Sequence, residues 1–331
     1  MTFKDDKPLA YAKMQKFDDM IKEGKSIAIM QLQWRYFCNF HCSHCSISGF
    51  RKQDKPLMSI DDLKRLSKQA DEYGLAQWGL SGGEPLVFAN LPEILEALQP
   101  DRFHIQLDTN GWLMTKEAAK AVKSMGVDKV QISIDGMDAE SHDSFRNMPG
   151  SHEKCIRAIY AVKDAGMQLQ IASVVDHERA NSDELEQFLA WCQDVGGAPS
   201  IVYAKPVGEW AGRYDLLCTP NDIAKVKILL AKYGGYDHTS KQHGRDLGCL
   251  AVKRMISITA FGDVLPCPWM YWSLGNVREM PLSDILNKGL KYYGYNPVCR
   301  MSEDIDFVKK YASKITDDSL PSVEWVMSET I

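Results

Sequence analysis

Three cysteines fall within eight residues, Cys38-Asn39-Phe40-His41-Cys42-Ser43-His44-Cys45, at C-x3-C-x2-C spacing behind an apolar, strand-like run. Three soft thiolates on one short loop can hold three irons of a cubane cluster; four cysteines are the usual complement, so one iron would stay open. The same loop could instead close a tetrahedral zinc site from the three cysteines with His41 or His44. Further clusters of chemistry-bearing residues recur downstream: Ser81-Gly82-Gly83-Glu84-Pro85, Asp108-Thr109-Asn110-Gly111, Asp135-Gly136, Asp176-His177 and Lys205-Pro206.

The elements that must position them follow from hydrophobic periodicity. Residues 1–26 form a polar lead with one helix, marked by Met14, Phe17, Met20 and Ile21. Strands are predicted near 27–33, 75–80, 103–107, 129–134, 168–175 and 200–204. Between them run helices opened at Ser59 (with Leu63, Leu66, Ala70 and Tyr73 on one side) and across 91–98, 115–125, 151–165, 182–195 and 219–233. Six alternating units mean parallel strands with right-handed crossovers, an α/β chain folded as an open partial (β/α)6 barrel. Each special cluster follows a strand, so all of them should ring one mouth, where such barrels carry their chemistry.

Composition narrows the classes. With 331 residues, 45% hydrophobic and 25% charged, the chain is expected to fold as one large core plus a small module. Its apolar runs are too short to span a membrane, and the sequence from Met1 shows no signal-peptide pattern, so a cytoplasmic protein without membrane partner is expected. A net charge of −5 with no basic stripe disfavours a nucleic-acid partner. Nine cysteines, an odd count, fit metal binding and core packing better than a disulfide framework. Cys155 shares a helix face with Ile159 and Val162, and Cys192 with Leu185, Phe188 and Leu189, so both read as core.

The cysteine loop together with Gly82-Gly83-Glu84-Pro85 resembles the radical S-adenosylmethionine (SAM) superfamily. The resemblance implies that Cys38, Cys42 and Cys45 hold a 4Fe-4S cluster whose open iron is chelated by SAM. It places His44 near the adenine, the Gly82 to Pro85 turn with Glu84 at the methionine ammonium, and Ser133-Ile134-Asp135-Gly136 at the ribose. Asn110 would line the site, and Arg146 would stand near the SAM carboxylate. For Ser133, Asp135 and Asn110 the plain alternative is a strand-end turn, and for Arg146 a surface arginine.

After Tyr233 the βα rhythm stops in a Gly/His/Lys-rich stretch, which sets expected boundaries of 1–26, 27–235 and 236–331. Ser257-Ile258-Thr259 and Asp263-Val264-Leu265 flank Phe261-Gly262 as a β-hairpin. The spacing of Cys249, Gly262 and Cys267 resembles the opening of the SPASM domain and its shortened twitch form. That resemblance implies one auxiliary 4Fe-4S cluster on Cys249, Cys267 and Cys299, its fourth iron open to substrate or held by another group, for which Asp304, Asp306 and Cys218 are weak candidates. Cys218 could alternatively return a hydrogen atom to a substrate radical, or be a buried structural thiol.

The family implies reductive cleavage of SAM to a 5′-deoxyadenosyl radical that takes hydrogen from a substrate carbon, fed by a flavodoxin- or ferredoxin-type reductant. Oxidative modification of a ribosomal peptide is the first expectation. The short lead, with no room for the recognition domain often fused to peptide maturases, weakens it. Oxidation or epimerisation of a small sugar or cyclitol alcohol is the second, and a non-catalytic Fe–S or zinc module the third.

Overall fold

The computed structural model of the chain describes residues 3–23, 25, 29–237, 239, 248–292, 296–312 and 320–328. The expected strand start at residues 27–28 and most of the Gly/His/Lys-rich stretch lie outside the described residues.

Helix α1 (Pro8–Lys22) buries Ala10, Phe17 and Ile21. It leads to β1 (Ile29–Arg35), α2 (Ile60–Tyr73), β2 (Gln77–Gly82), α3 (Leu91–Ala97), β3 (His104–Thr109), α4 (Lys116–Ser124) and β4 (Lys129–Ser133). Then come α5 (Ala139–Arg146), α6 (Ser151–Asp164), β5 (Gln168–Val175), α7 (Asp183–Asp194), β6 (Ala198–Tyr203), α8 (Pro220–Tyr233) and β7 (Tyr236–Asp237). Local chemistry sets the helix ends. Ser59 Oγ accepts from Asp62 N at 3.1 Å while Asp62 accepts from Ser59 N at 2.8 Å, and α2 stops at Gly74 with φ +91°.

Strands β1 to β7 pair in parallel in chain order, the open barrel expected from six βα units plus one short strand. Along β1, Met30, Leu32 and Trp34 are buried in the hydrophobic core, whereas the alternate residues Gln31 and Gln33 line the cavity at the other face. Purely parallel strands are usually apolar on both faces, so a glutamine-bearing inner face marks a functional lumen.

The C-terminal hairpin is part of the same sheet. β8 (Met255–Ile258) pairs in parallel with β1, and β9 (Asp263–Leu265) and β10 (Gly275–Asn276) continue antiparallel outward. Gly262, at φ +88°, makes the hairpin turn, and Thr259 Oγ1 accepts from Phe261 N and Asp263 N. Helices α9 (Leu282–Tyr292), α10 (Ile305–Ala312) and α11 (Val323–Ser328) follow, with a single helical turn at Arg300–Glu303 ahead of α10. Among the described residues no helix is long and apolar enough to cross a membrane.

Helix α5 was not expected from periodicity. Its eight residues are mostly polar, yet Asp138 caps it by accepting from Ser141 N at 2.8 Å, and it buries His142 and Arg146. The start of α6 is also capped from α5, because Asp143 accepts from Ser151 Oγ and His152 N, each at 2.8 Å.

Candidate active site

A cavity of about 250 Å³ opens at the C-terminal ends of the strands, and Cys38, Cys42 and Cys45 stand in its wall. Buried Phe40 anchors their loop against Trp112, and Asn39 accepts from Asn110 Nδ2 at 2.8 Å. Each thiol has its own donor. Asn110 Nδ2 lies 3.9 Å from Cys38 Sγ, Arg146 Nη1 3.9 Å from Cys42 Sγ, and Arg51 Nη2 3.6 Å from Cys45 Sγ. Burial pushes the Cys38 thiol up to about 11 and also raises Cys45, so as free thiols both stay protonated. A bound metal reverses that preference, since coordination deprotonates a thiol outright.

A single zinc ion needs its ligands around one point at ~2.3 Å, whereas a cubane takes each thiolate on a separate iron. Three thiols on one loop, each beside a separate donor, fit three irons of a cubane.

The turn after β2 docks onto the same loop through backbone. Gly83 N donates to Arg35 O at 2.8 Å and Glu84 N to Phe37 O at 3.0 Å. A Cβ on Gly83 would stand 1.8 Å from Phe37 O, and Gly82 holds φ +116° against Arg35 O. Pro85, buried, starts a short 3-10 turn.

Glu84 itself is 1% exposed and lines the cavity. Its Oε1 accepts from Leu86 N at 3.1 Å and Thr109 Oγ1 at 2.7 Å, and its Oε2 from Asn110 N at 2.8 Å. No cation among the described residues pairs with it, and burial pushes the carboxyl up to about 7. A buried carboxylate with a lone pair to spare and no counter-ion suits a ligand ammonium.

His44 stacks on Phe145 at 4.4 Å between centroids, with Trp210 at 5.6 Å from His44, and burial holds the ring neutral, pushed down to about 3. Such an aromatic box suits a flat heterocycle. Ser133, Asn110 and Arg146 line the main cavity, and Asp135 lines an adjoining one with Phe145 and Trp210. The buried Asp135 carboxylate pairs with Arg146 and accepts from Val174 N at 2.7 Å. Cys218 is turned away: its thiol is buried in the core and donates to Val175 O at 3.6 Å, outside the lining of the cavity. This favours the structural reading over the hydrogen-atom donor. Cys155 and Cys192 are core residues, with Cys155 donating to Asn110 O at 3.2 Å.

Lys205, Pro268 and Trp269 also line the cavity. The Cys299 thiol lies close enough to hydrogen-bond with Cys249 and raises both Cys249 and Cys267, while burial pushes Cys267 up to about 12. Three mutually desolvated thiols fit a second cluster. Of the weak fourth ligands, Asp304 accepts from Phe307 N at 3.0 Å and pairs with Arg300, and Asp306 is exposed.

Sequence reasoning missed Arg51, on a 3-10 turn after the cysteine loop, and Gly208, whose φ of +61° lets Glu209 N donate to Cys45 O at 3.0 Å. Neither lies in a strand-end cluster that the βα rhythm points to.

Two family models match the chain: the radical SAM superfamily over residues 34–192 and the iron-sulfur cluster-binding SPASM domain over 249–304. The AdoMet-dependent heme synthase of Nitratidesulfovibrio vulgaris is 28% identical over 282 residues, covering 76% of each chain. The mycofactocin maturase MftC of Mycolicibacterium smegmatis is 30% identical over 254 residues, 72% of this chain and 64% of that protein. The Streptococcus suis SuiB structure bound to precursor peptide SuiA superposes with a TM-score of 0.63 at 14% identity, over 96% of this chain and 79% of that one, a likeness of fold. The chain belongs to the radical SAM superfamily and carries an auxiliary iron–sulfur SPASM domain. Its cofactors are accordingly a 4Fe-4S cluster, SAM and an auxiliary iron–sulfur cluster.

Proposed function

We propose that this enzyme oxidatively modifies a peptide, with the substrate lying in the cavity between its two clusters. In this reading Cys38, Cys42 and Cys45 hold the first cluster, Glu84 takes the methionine ammonium of SAM, Arg146 stands at its carboxylate, and His44, Phe145 and Trp210 box the adenine. Cys249, Cys267 and Cys299 hold the auxiliary cluster, and residues 27–235 and 236–331 divide the work despite sharing one sheet. Bound together, the first cluster and SAM supply a carbon-centred radical that removes a substrate hydrogen, and the auxiliary cluster supplies a one-electron acceptor. The chain's part is to orient and to exclude water. A flavodoxin- or ferredoxin-type protein is the proposed electron donor.

The observation that carries the peptide reading is the character of the lumen. Gln31, Gln33, Gln131, Asn110, Ser133 and Ser173 line it, and Gln33 Oε1 is buried with no hydrogen-bond partner. Among the described residues that single open amide acceptor, in a lumen lined by neutral amides and hydroxyls, matches a backbone N–H group. A relation to a PqqA peptide cyclase, 23% identical over 284 residues, supports it.

The relation to a heme synthase favours a second reading, a tetrapyrrole bearing carboxylates. Against it, the Arg and Lys residues lining the cavity are Arg51, Arg146 and Lys205, and both arginines are engaged at Cys45 and at Cys42 with Asp135. The test is 5′-deoxyadenosine release by anaerobically reconstituted enzyme with SAM, a strong reductant, and either a defined pool of synthetic peptides or an iron tetrapyrrole with free propionates. Peptide-stimulated release, with loss of two hydrogens from one peptide, supports the proposal. Stimulation by the tetrapyrrole alone overturns it.

The role of Glu84 gives a pH prediction with a definite sign. Burial pushes the Glu84 carboxyl up to about 7 and an ammonium stabilises its charged form, so a proton must leave for SAM to bind at lower pH. SAM affinity measured calorimetrically should be greatest between about pH 7 and 8, where Glu84 is ionised and the ligand's α-amino group is still protonated, and fall up to about tenfold per unit below that interval. Glu84→Gln should bind weakly and lose that slope.

A further inference from the structure

Two carboxylates line the cavity, Glu84 and Asp108, and the reading above uses only Glu84. Asp108 lies near the C-terminal end of β3 and is held by neutral amides: Oδ1 accepts from Gln106 Nε2 at 2.7 Å and Oδ2 from Gln31 Nε2 at 3.3 Å, and among the described residues it forms no ion pair. The cations that line the same cavity are engaged elsewhere, Arg51 at Cys45, Arg146 against Asp135 and Lys205 on Tyr203 O. Lys129 acts on Asp108 from one register step deeper, opposite Gln106, and lies outside the cavity lining. Burial raises the Asp108 carboxyl, and a cation brought against it favours the charged form.

A second open acceptor stands nearby on β1. Gln33 is 2% exposed; its Nε2 donates to Ser257 Oγ at 2.9 Å, while its Oε1 is buried without a partner. Gln31 and Gln33 share one face of their strand, so the open amide oxygen and the carboxylate that Gln31 holds lie along one wall of the cavity. A carboxylate with lone pairs to spare beside an unmatched amide oxygen selects a ligand that is rich in donors and positively charged.

We propose that Asp108 binds the ammonium or guanidinium of a lysine or arginine side chain in the substrate peptide, while Gln33 Oε1 takes a backbone N–H of the same segment. The inference rests on the peptide reading and names the kind of peptide that the cavity takes, one with a basic residue in the bound segment. Asp108 is then a specificity-determining residue, held in place by Gln31 and Gln106 before the substrate arrives. A neutral side chain of the same shape leaves that carboxylate desolvated and unmatched, which is how a buried polar group rejects the wrong ligand.

The test measures 5′-deoxyadenosine release by the full chain, reconstituted anaerobically with SAM and a strong reductant, with two versions of one synthetic peptide pool. One carries lysine and arginine; in the other, norleucine replaces each lysine and citrulline each arginine. In the parent, kcat/KM is expected to be at least about tenfold higher for the basic pool, since losing one partner of a buried charge pair costs that much or more. The preference should fall to about one in Asp108→Asn and survive in part in Asp108→Glu. Because it is a ratio within one enzyme, it is readable in a variant of lower overall activity. Equal use of the two pools by the parent, which needs no variant, or a preference untouched in Asp108→Asn, overturns the inference. No release above background with either pool overturns the peptide reading itself, a separate failure.

Discussion

Gly83→Ala is expected to cut SAM cleavage by about 100-fold or more, because a displacement of about 1 Å at reacting groups suffices for that loss. The added Cβ would lie 1.8 Å from Phe37 O and 2.4 Å from Phe37 C, backbone atoms that lead directly into Cys38. Relief requires the β2 turn and the cysteine loop to separate, which breaks the hydrogen bonds Gly83 N to Arg35 O and Glu84 N to Phe37 O. Glu84 then leaves its three donors and the thiols lose their register with it. Gly79→Ala is the matched control: on β2, the strand that leads into that turn, its Cβ would meet nothing closer than 3.9 Å, and activity within about twofold of the parent is expected. Activity lost equally in both variants would mean that the strand, not the docking of the turn, is what matters.

The second large effect concerns Asp135. Its carboxylate is buried against Arg146, which in turn reaches Cys42 Sγ. Burial would raise Asp135, but Arg146 foremost, then His44 and Arg179, outweigh it and hold the group down to about 2. Removing one partner of a buried pair strands the other charge, so Asp135→Ala should cost about 3–5 kcal/mol in denaturant unfolding. Asp135→Ala with Arg146→Met should recover part of that loss. The sign with pH is fixed: a depressed carboxyl contributes fully above its ordinary value near 4 and loses that contribution as pH falls toward 2. The gap between parent and Asp135→Ala should therefore close over that interval. A gap that stays constant with pH would assign the loss to packing.

The βα rhythm alone places the strands within about two residues, because parallel barrel strands are short apolar runs bounded by turn residues. Cys38, Cys42, Cys45 and Gly82 to Pro85 were legible because their spacing encodes one loop and one turn. What local pattern could not reveal is pairing at long range. β8 joins β1 although Met255 and Ile29 are far apart in the chain, so a hairpin that reads as the start of a separate module extends the barrel sheet. Helix α5 escaped because its buried face is made of His142 and Arg146, residues that hydrophobic periodicity does not count. Asp135 illustrates the same limit. An Asp-Gly after a strand can face a ligand or its own protein, and only the fold brings Arg146 to it.

The central claim is that the chain builds two separate cluster sites facing one cavity. Iron and sulfide analysis of the variant with Cys38, Cys42 and Cys45 all changed to Ala, after anaerobic reconstitution, tests it most directly. The account predicts about four irons retained per chain, those of an auxiliary cubane on Cys249, Cys267 and Cys299. Iron near zero in a folded variant would contradict it, leaving one cluster and three structural thiols.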